Sequence, residues 1–213
     1  MFFQDSRHIY RVPGFDAIPW LLHGFGTRRS DIPALFANLA TLKQIHSAEC
    51  VAGDGRPGEL GRGDALLEDT PGAVVAVKTA DCVPVLLVDE RRRAVAAVHA
   101  GWRGTAAGIV RRAVDAMHRR FGTDPTDLHA AIGPAIGPCC YEVGPEVAAQ
   151  FSLEGRVRLD LPAANQRQLL DAGLAPGRIY RAELCTMCHP EEFHSFRRDK
   201  EAAGRLYSFI GIR

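Results

Sequence analysis

Two histidines and one cysteine stand at the edges of apolar segments, where they could bind a metal ion. His99 follows the apolar run 94–98, Cys82 follows the run 73–77, and His46 precedes a glycine-rich loop. Two imidazoles and a thiolate suit Zn²⁺, and three protein ligands leave a fourth position for water or substrate. Their separations match no compact zinc motif, and a single residue of this kind is more often an ordinary core residue.

The segment around His99 predicts a place for an anion. Residues 99–104 read His-Ala-Gly-Trp-Arg-Gly, and the residues from Thr105 onward favour the first turn of a helix. A strand end, a glycine turn and a helix start leave backbone N–H groups free for negative charge. Asp81, directly before Cys82, could orient a ligand or transfer a proton, although a strand-end aspartate also caps turns.

A second candidate is the loop 132–141, which reads Ile-Gly-Pro-Ala-Ile-Gly-Pro-Cys-Cys-Tyr. Its repeated Gly-Pro pairs define a tight path that either clamps a flat ligand or forms a rigid structural turn. Cys139 or Cys140 would be a nucleophile only if a neighbour lowered its pKa, and no such neighbour is apparent in the sequence.

Two further clusters favour structural roles. Residues 185–189 spell the Cys-x-x-Cys-His pattern of haem attachment, but no export signal accompanies it. A zinc ribbon would need a second Cys-x-x-Cys pair, so we expect structural thiols at Cys185 and Cys188. Arg197, Arg198 and Arg205 could bind phosphate, although salt bridges to nearby acidic residues are the favoured interpretation.

Composition excludes several functional classes. The chain has 213 residues, a formal net charge of +1 and no apolar run long enough to span a bilayer, so we expect neither nucleic acid nor a membrane as partner. Its six cysteines are expected to be reduced and the protein cytoplasmic. The eight histidines form no His-x-His pair, so a four-copper oxidase cluster is not available from one chain.

The pattern of elements predicts a single compact domain over 1–213, of the α+β class with layers and mixed β-sheets. Short valine-rich runs at 73–77, 85–88 and 94–98 predict buried strands, as do 128–132 and 205–212. The clearest helix is expected over 105–121, ended by Gly122, with shorter helices over 144–151 and 166–172. Residues 53–63 are expected to be an irregular loop.

The motifs occur in an order that resembles a known family. They are Lys-Gln-Ile-His at 43–46, Gly-Asp-Ala at 63–65, Thr-Ala-Asp-Cys at 79–82, the 99–104 and 132–144 segments, and Cys-Thr-Met-Cys with Phe-Arg-Arg-Asp near the carboxyl end. The chain is similar to the bacterial laccase-domain, or polyphenol-oxidase-like, family, whose YfiH-like members are also described as purine nucleoside phosphorylases. The resemblance covers nearly the whole chain, but the stretch 29–42 is shorter than is usual in the family.

The resemblance implies a set of roles. Zn²⁺ would be held by His46, Cys82 and His99, with Cu²⁺ able to bind in vitro. The implied reaction is phosphorolysis of adenosine, inosine and methylthioadenosine to free base and (methylthio)ribose 1-phosphate, with adenosine deamination alongside. Beyond what the resemblance implies, we expect Asp81, Arg103 and Cys82 to be catalytic. We expect the substrate- or phosphate-binding residues to be Arg28, Arg103, Thr105 (its amide, with that of Ala106) and Cys139.

Three alternatives remain open at this point. The first is a copper-dependent polyphenol oxidase. The second is an amide hydrolase acting on cell-wall peptides, with Cys82 or Cys139 as nucleophile and His99 as base. The third is a non-catalytic protein with a structural metal, closed by Cys139 or Cys140 as fourth ligand. The expected partners are a small nucleoside and phosphate, and the expected assembly is a monomer or weak homodimer.

Overall fold

The computed structural model describes all 213 residues. The strands are, in chain order, β1 (Phe3–Gln4), β2 (Ile9–Arg11), β3 (Leu21–Gly26), β4 (Leu39–Lys43), β5 (Cys50–Ala52), β6 (Gly58–Arg62), β7 (Ala65–Glu68), β8 (Val74–Thr79), β9 (Val83–Asp89), β10 (Ala94–Ala100), β11 (Leu128–Ile132), β12 (Glu142–Val143), β13 (Val157–Arg158), β14 (Ile179–Arg181) and β15 (Leu206–Ile212). The α-helices are α1 (Pro13–Asp16), α2 (Ile32–Leu35), α3 (Trp102–Ala106), α4 (Ile109–Phe121), α5 (Pro145–Ala148), α6 (Leu161–Asp171) and α7 (Phe196–Asp199).

The strands form two large mixed sheets and one small hairpin-like pair. The seven-stranded sheet has the order β1-β2-β3-β15-β8-β4-β6, and the six-stranded sheet has the order β14-β11-β9-β10-β7-β5. Most neighbours are antiparallel, but β4 runs parallel to β6 and β8, β5 runs parallel to β7, and β14 runs parallel to β11. The expected α+β class with mixed sheets is confirmed.

The six-stranded sheet lies in the middle layer, and both of its faces are buried. Val85 and Leu87 of β9 pack with α4 and α6, whereas their neighbours Leu86 and Val88 pack against the seven-stranded sheet. Because successive side chains of a strand point to opposite faces, a strand covered on both sides must be apolar at every position. This explains the continuous apolar runs of β9 and β10, whose residues are all buried.

The helix expected over 105–121 is two helices. Gly108 adopts a left-handed φ of 76°, which ends α3 and starts α4 at a new angle. The end of α4 is as expected, since Gly122 is also left-handed and caps it. The loop expected over 53–63 contains β6, a half-exposed edge strand whose glycines hide the alternation by which strands are recognised. None of the helices combines the length and the apolar character needed to cross a bilayer.

Candidate metal centre and cationic cleft

Cys82 and His99 are brought together by the pairing of two strands. Cys82 directly precedes β9, and His99 is the next-to-last residue of the antiparallel neighbour β10, where Ala100 pairs with Val83. Both side chains therefore lie at the same end of the central sheet. His99 is only 3 % exposed, so its ring is held rigidly by the strand and its surroundings.

Asp64 orients both His46 and His99. Its buried carboxylate lies 2.8 Å from Nδ1 of His99 and accepts hydrogen bonds from the backbone N–H groups of Ile45, His46 and Ser47. Asp64 directly precedes β7, which pairs with β10, and its carbonyl accepts the N–H of His99. One carboxylate thus ties the His46 loop to the strand that carries His99.

His46 itself sits in a strained loop position. Its φ of 57° is left-handed, a conformation that a histidine adopts only when its surroundings impose it. The three N–H bonds to Asp64 provide that constraint. The two imidazole rings meet edge to face, with centroids 4.9 Å apart.

The surroundings of Cys82 favour the ionised form of its thiol. Burial opposes it, but hydrogen bonds from His46 and His99 lower the pKa of the Cys82 thiol to about 6. Burial also disfavours the charged form of His99, yet its bonds to Asp64 and Cys82 raise the pKa of the imidazole to about 9. The Cys82 sulfur is therefore ready to ionise, and a thiolate is the form that binds a metal.

The donor set fits Zn²⁺. The ligand atoms of His46, Cys82 and His99 all lie within 4.8 Å of one another, and we call this group the His-Cys-His centre. Because Asp64 occupies Nδ1 of His99, Nε2 is the nitrogen available for a metal, as in the carboxylate–histidine–zinc arrangement. Gly101 gives the centre room, since a Cβ there would lie 3.1 Å from Cys82 Sγ and 3.2 Å from His46 Cδ2.

A cleft of about 670 Å³ opens beside the His-Cys-His centre, and its lining is strongly cationic. Its basic side chains are Lys43, Lys78, Arg103, Arg197, Lys200 and Arg205, against the two acids Glu59 and Asp81. None of the six basic groups forms a salt bridge within the chain. Unpaired cations around one cleft favour an anionic ligand, because the ligand supplies the missing negative charge.

Three aromatic side chains line the same cleft. The guanidinium of Arg103 lies over the ring of Trp102 at 4.3 Å, and that of Arg197 lies over Tyr141 at 5.1 Å. Phe196 remains 43 % exposed and has no such cover. An uncovered aromatic face in a cleft is suited to stacking with a planar ligand.

Asp81 lies in the cleft beside Cys82, but its carboxylate is already well bonded. Thr186 Oγ1 donates to it at 2.6 Å, Ser195 Oγ at 3.0 Å and the N–H of Arg197 at 2.7 Å. Its φ of 85° is left-handed, so the backbone is bent to aim this carboxylate at the 186 and 195–197 segments. Asp81 therefore positions the cleft wall that carries Phe196 and Arg197.

The structure places three predicted substrate-binding residues away from the cleft lining. Thr105 is fully buried, its hydroxyl contacts Asn165, and its N–H donates to the Gly101 carbonyl inside α3, so its amide is not free for phosphate. Arg28 bonds to the Pro190 carbonyl on the surface. These expectations are corrected for one reason, namely that local contacts already use the groups assigned to the ligand.

Cys139 is the third of these residues, and it belongs to a different group. Its sulfur is gathered with three others, and we call this group the four-cysteine cluster: Cys139, Cys140, Cys185 and Cys188. It is distinct from the His-Cys-His centre, so neither Cys139 nor Cys140 closes that centre as a fourth ligand. The predicted structural-metal alternative in that form is therefore corrected, as is a Cys139–His99 nucleophilic pair.

Sequence reasoning from the residues missed Asp64 and the lysines of the cleft. Asp64 has a signal in the sequence, because it precedes an apolar run as Asp81 follows one, within the Gly-Asp-Ala motif at 63–65. Lys43 and Lys78 lie at strand ends but resemble ordinary surface lysines in the sequence. Only the convergence of their strands on one cleft distinguishes them.

Fold and site together define a layered α+β protein with a three-ligand centre of metal-binding type beside a cationic cleft. The chain belongs to the family described as multi-copper polyphenol oxidoreductase laccase, whose model matches residues 28–213. It is 41% identical over 163 residues to a protein named purine nucleoside phosphorylase from Bacteroides thetaiotaomicron, covering 70% of this chain and 60% of that one. It is 40% identical over 185 residues to a protein of the same name from Deinococcus radiodurans, and this match covers 82% of this chain and 70% of that one.

Solved structures agree over the full length of the chain. The crystal structure of YlmD from Geobacillus stearothermophilus matches with a TM-score of 0.92 and 30% identity, covering 100% of this chain and 98% of that one. The structure of the Bacillus licheniformis hypothetical protein YfiH matches with a TM-score of 0.89 and 29% identity, and it covers 100% of this chain and 99% of that one. In sequence, however, the chain spans 60% of the length of the Bacteroides relative.

Proposed function

We propose that this protein is a zinc-dependent purine nucleoside phosphorylase. The observation that carries the proposal is the set of six unpaired cations around one cleft that adjoins the His-Cys-His centre. Phosphorolysis needs an anionic nucleophile held beside a planar base, and this cleft offers both charge and an aromatic face. The names of the relatives from Bacteroides and Deinococcus support the same class of substrate.

In the proposed reaction, an oxygen of phosphate attacks C1′ of the ribose and the bond from C1′ to the purine nitrogen breaks. The bonding electron pair leaves with the base, which takes up a proton. His46, Cys82 and His99 would hold Zn²⁺, which in a three-ligand site acts as a Lewis acid. Arg103, whose guanidinium has no other polar partner, binds phosphate, and the neighbouring lysines add to the attraction between that dianion and the cleft.

Phe196 is proposed to stack on the purine. It is the aromatic residue of the cleft that no guanidinium covers. Replacing it, Phe196→Leu, should raise KM for nucleoside about tenfold, in line with a loss of ~1–3 kcal/mol of stacking, while kcat changes little. The matched control is Phe3→Leu, because Phe3 is equally exposed on β1 but lies outside the cleft.

Asp81 is the proposed proton-transfer residue for the departing base, and its competing role is to position Arg197 through the hydrogen bonds that its carboxylate accepts. The test is the pH–rate profile of Asp81→Asn with metal content measured in parallel. A proton-transfer role predicts a fall in kcat of about 10²–10⁴-fold and the loss of one limb of the profile. If kcat and the profile survive and only KM for phosphate rises, Asp81 acts solely by positioning Arg197, and the proton-transfer proposal fails.

The test of the function itself uses zinc-loaded protein with adenosine, inosine and methylthioadenosine, with and without phosphate. Ribose 1-phosphate (or its methylthio form), free base and ammonia are measured separately. We expect base and sugar phosphate to form in equal amounts and only with phosphate present. Base released without phosphate would indicate a hydrolase, and ammonia alone from adenosine would leave deamination as the main activity.

Zinc rather than copper is the proposed working metal. The chain has eight histidines, and the only groups of metal-binding type are the His-Cys-His centre and the four-cysteine cluster, so the histidine ligands of a multi-copper oxidase are not assembled. Cu²⁺ would bind the same three ligands in vitro, because affinity rises toward copper along the first-row series. Metal analysis of protein purified without added metal decides this, and stoichiometric copper without zinc would overturn the proposal.

A further inference from the structure

The four-cysteine cluster is not used by the proposed reaction, and its geometry has no ordinary explanation as four separate thiols. Cys188 Sγ lies 3.4 Å from Cys140 Sγ and 3.6 Å from Cys139 Sγ, and all four sulfurs lie within 4.8 Å of one another. Four thiolates bound tetrahedrally at about 2.3 Å from a zinc ion stand about 3.8 Å apart. The observed spacing is therefore that of a tetrathiolate site.

The same spacing does not correspond to disulfides. A disulfide requires two sulfurs about 2.05 Å apart, and it leaves the remaining sulfurs without a reason to approach. Here every cysteine is free, and Cys188 is nearly equidistant from two partners. The convergence is four-way rather than pairwise.

The backbone around the cluster is arranged as it is around zinc-bound sulfur. The N–H of Gly137 donates to Cys185 Sγ at 3.3 Å, and such donors stabilise a thiolate. Gly137 lies between the two cysteine segments, since a Cβ there would be 3.4 Å from Cys139 Sγ and 3.5 Å from Cys185 Cβ. The segments also pair directly, because Ala135 bridges to Cys185 and accepts the N–H of Thr186.

We propose that the four-cysteine cluster is a second metal site that binds one Zn²⁺ through four thiolates. Four protein ligands close the coordination shell, so this site is structural, in contrast to the three-ligand centre beside the cleft. It joins the turn after β11 to the turn after β14, which are far apart in sequence. The proposal is independent of the nucleoside activity, because it concerns only the metal and the sulfurs.

The four-cysteine cluster lies next to residues that form the wall of the cleft. Tyr141 directly follows Cys140 and lines the cleft, and Thr186 directly follows Cys185 and bonds to Asp81. The guanidinium of Arg198 donates to the carbonyls of Thr186 and Met187. Zinc at the cluster therefore holds the wall of the cleft, although it lies outside the cleft lining.

The test is a zinc count by mass spectrometry on reduced protein purified without chelator. We expect about two zinc ions per chain in the wild type and about one in Cys139→Ser/Cys188→Ser. Both replaced residues are exposed, so serine leaves no buried void. The matched control, Cys50→Ser, should keep about two, and His46→Ala/His99→Ala should keep about one.

Two further measurements test the proposal on the wild-type protein, so that the result does not depend on how the variants fold. Co²⁺ substitution should give the sulfur-to-cobalt charge-transfer absorption of a tetrathiolate, which the Cys139→Ser/Cys188→Ser variant lacks while it retains its first metal. Chelation should make the four cluster thiols available to alkylation. The proposal is overturned by wild-type protein without metal at the cluster and with four reactive thiols, by a mass that shows two disulfides, by iron in place of zinc, or by an unchanged zinc count in the double variant.

Discussion

At the level of single residues, Asp64 determines the geometry of the His-Cys-His centre. It bonds to His99 Nδ1 and to three successive N–H groups of the His46 loop, so it orients two of the three ligands. Burial disfavours its charge, but bonds from His99 and Ser47 keep the pKa of the Asp64 carboxyl at about 2. A carboxylate that stays charged in a buried place is a permanent anchor for the ring it holds.

Replacement of Asp64 should therefore weaken metal binding without removing a ligand. We expect Asp64→Asn to lose about 10–100-fold in zinc affinity at the His-Cys-His centre, because the ring of His99 and the loop of His46 are no longer fixed. Competition with a chromophoric chelator measures the affinity. Asp69→Asn, an exposed aspartate on the same segment, is the control, and an equal effect of the two substitutions would contradict the assigned role.

Arg103 offers a second prediction at this level. Its guanidinium lies over Trp102 in the cleft and forms no hydrogen bond within the chain, so it is available for phosphate. Arg103→Gln should raise KM for phosphate at least tenfold and leave KM for nucleoside nearly unchanged, because a bidentate charged contact is lost. Initial rates at varied phosphate measure this. Arg120→Gln on the exposed side of α4 should have no effect, and a phosphate KM unaltered in Arg103→Gln would remove this residue from the proposed site.

At the level of elements, the centre is built where β9 begins, β10 ends and α3 starts. The short connection after β10 passes so close to the ligands that any Cβ at position 101 would force Cys82 and His46 to shift. Its φ of −70° is available to any residue, so the requirement is for space rather than for backbone freedom. The turn between a buried strand and a helix is thus shaped by the metal-binding groups it passes.

Gly101→Ala should fold normally and bind metal poorly. The added Cβ would contact Cys82 Sγ and His46 Cδ2 at 3.1 and 3.2 Å and press the two ligands apart. We expect a change in Tm of only a few degrees with a zinc affinity at least tenfold lower, measured by calorimetry and metal competition. Gly177→Ala is the matched control, because nothing lies within 4 Å of its Cβ. Undiminished metal binding in Gly101→Ala would show that the centre can expand.

At the scale of the whole molecule, the packing of two sheets and a helical layer buries a histidine whose protonation affects the free energy of unfolding. His23 of β3 is completely buried, and its Nε2 accepts the N–H of Val12 at 3.0 Å, which requires a neutral ring. Burial, together with the charge of Arg11, lowers the pKa of His23 to about 3. The unfolded chain keeps an ordinary histidine pKa of about 6.5.

The fold should consequently lose stability as the pH falls from about 6.5 toward 3. In that window the unfolded chain binds a proton at His23 that the folded chain excludes, so unfolding is favoured by about 2–3 kcal/mol at pH 4.5. Urea unfolding at pH 7 and pH 4.5 measures this. His23→Gln, whose amide oxygen can accept the Val12 N–H, should lose less stability on acidification than the wild type. His189→Gln controls for the loss of a surface imidazole, and equal losses in wild type and His23→Gln would refute the assignment.

Much of the architecture follows from local pattern. The continuous apolar runs of β8, β9 and β10 predict buried strands because each lies between two covered faces, and the 3.6-residue period of α4 with its final glycine predicts that helix. The glycine-rich edge strand β6 and the break at Gly108 escape such prediction. Their conformations depend on neighbouring strands and on a left-handed turn, which leave no periodic signal.

Residue types and their spacing predict the chemical type of the site, since His46, Cys82 and His99 lie at the edges of apolar segments and have the donor atoms that zinc prefers. Which groups are free and which meet follows from the folded chain. The strand register places Asp64 beside His99. The Thr105 amide is not free, because it donates its hydrogen bond to the Gly101 carbonyl within the helix. The bridge between Ala135 and Cys185 brings the two cysteine segments together. Such contacts join residues far apart in the chain, so their distances depend on the packing of whole sheets, and local residue patterns carry no record of them.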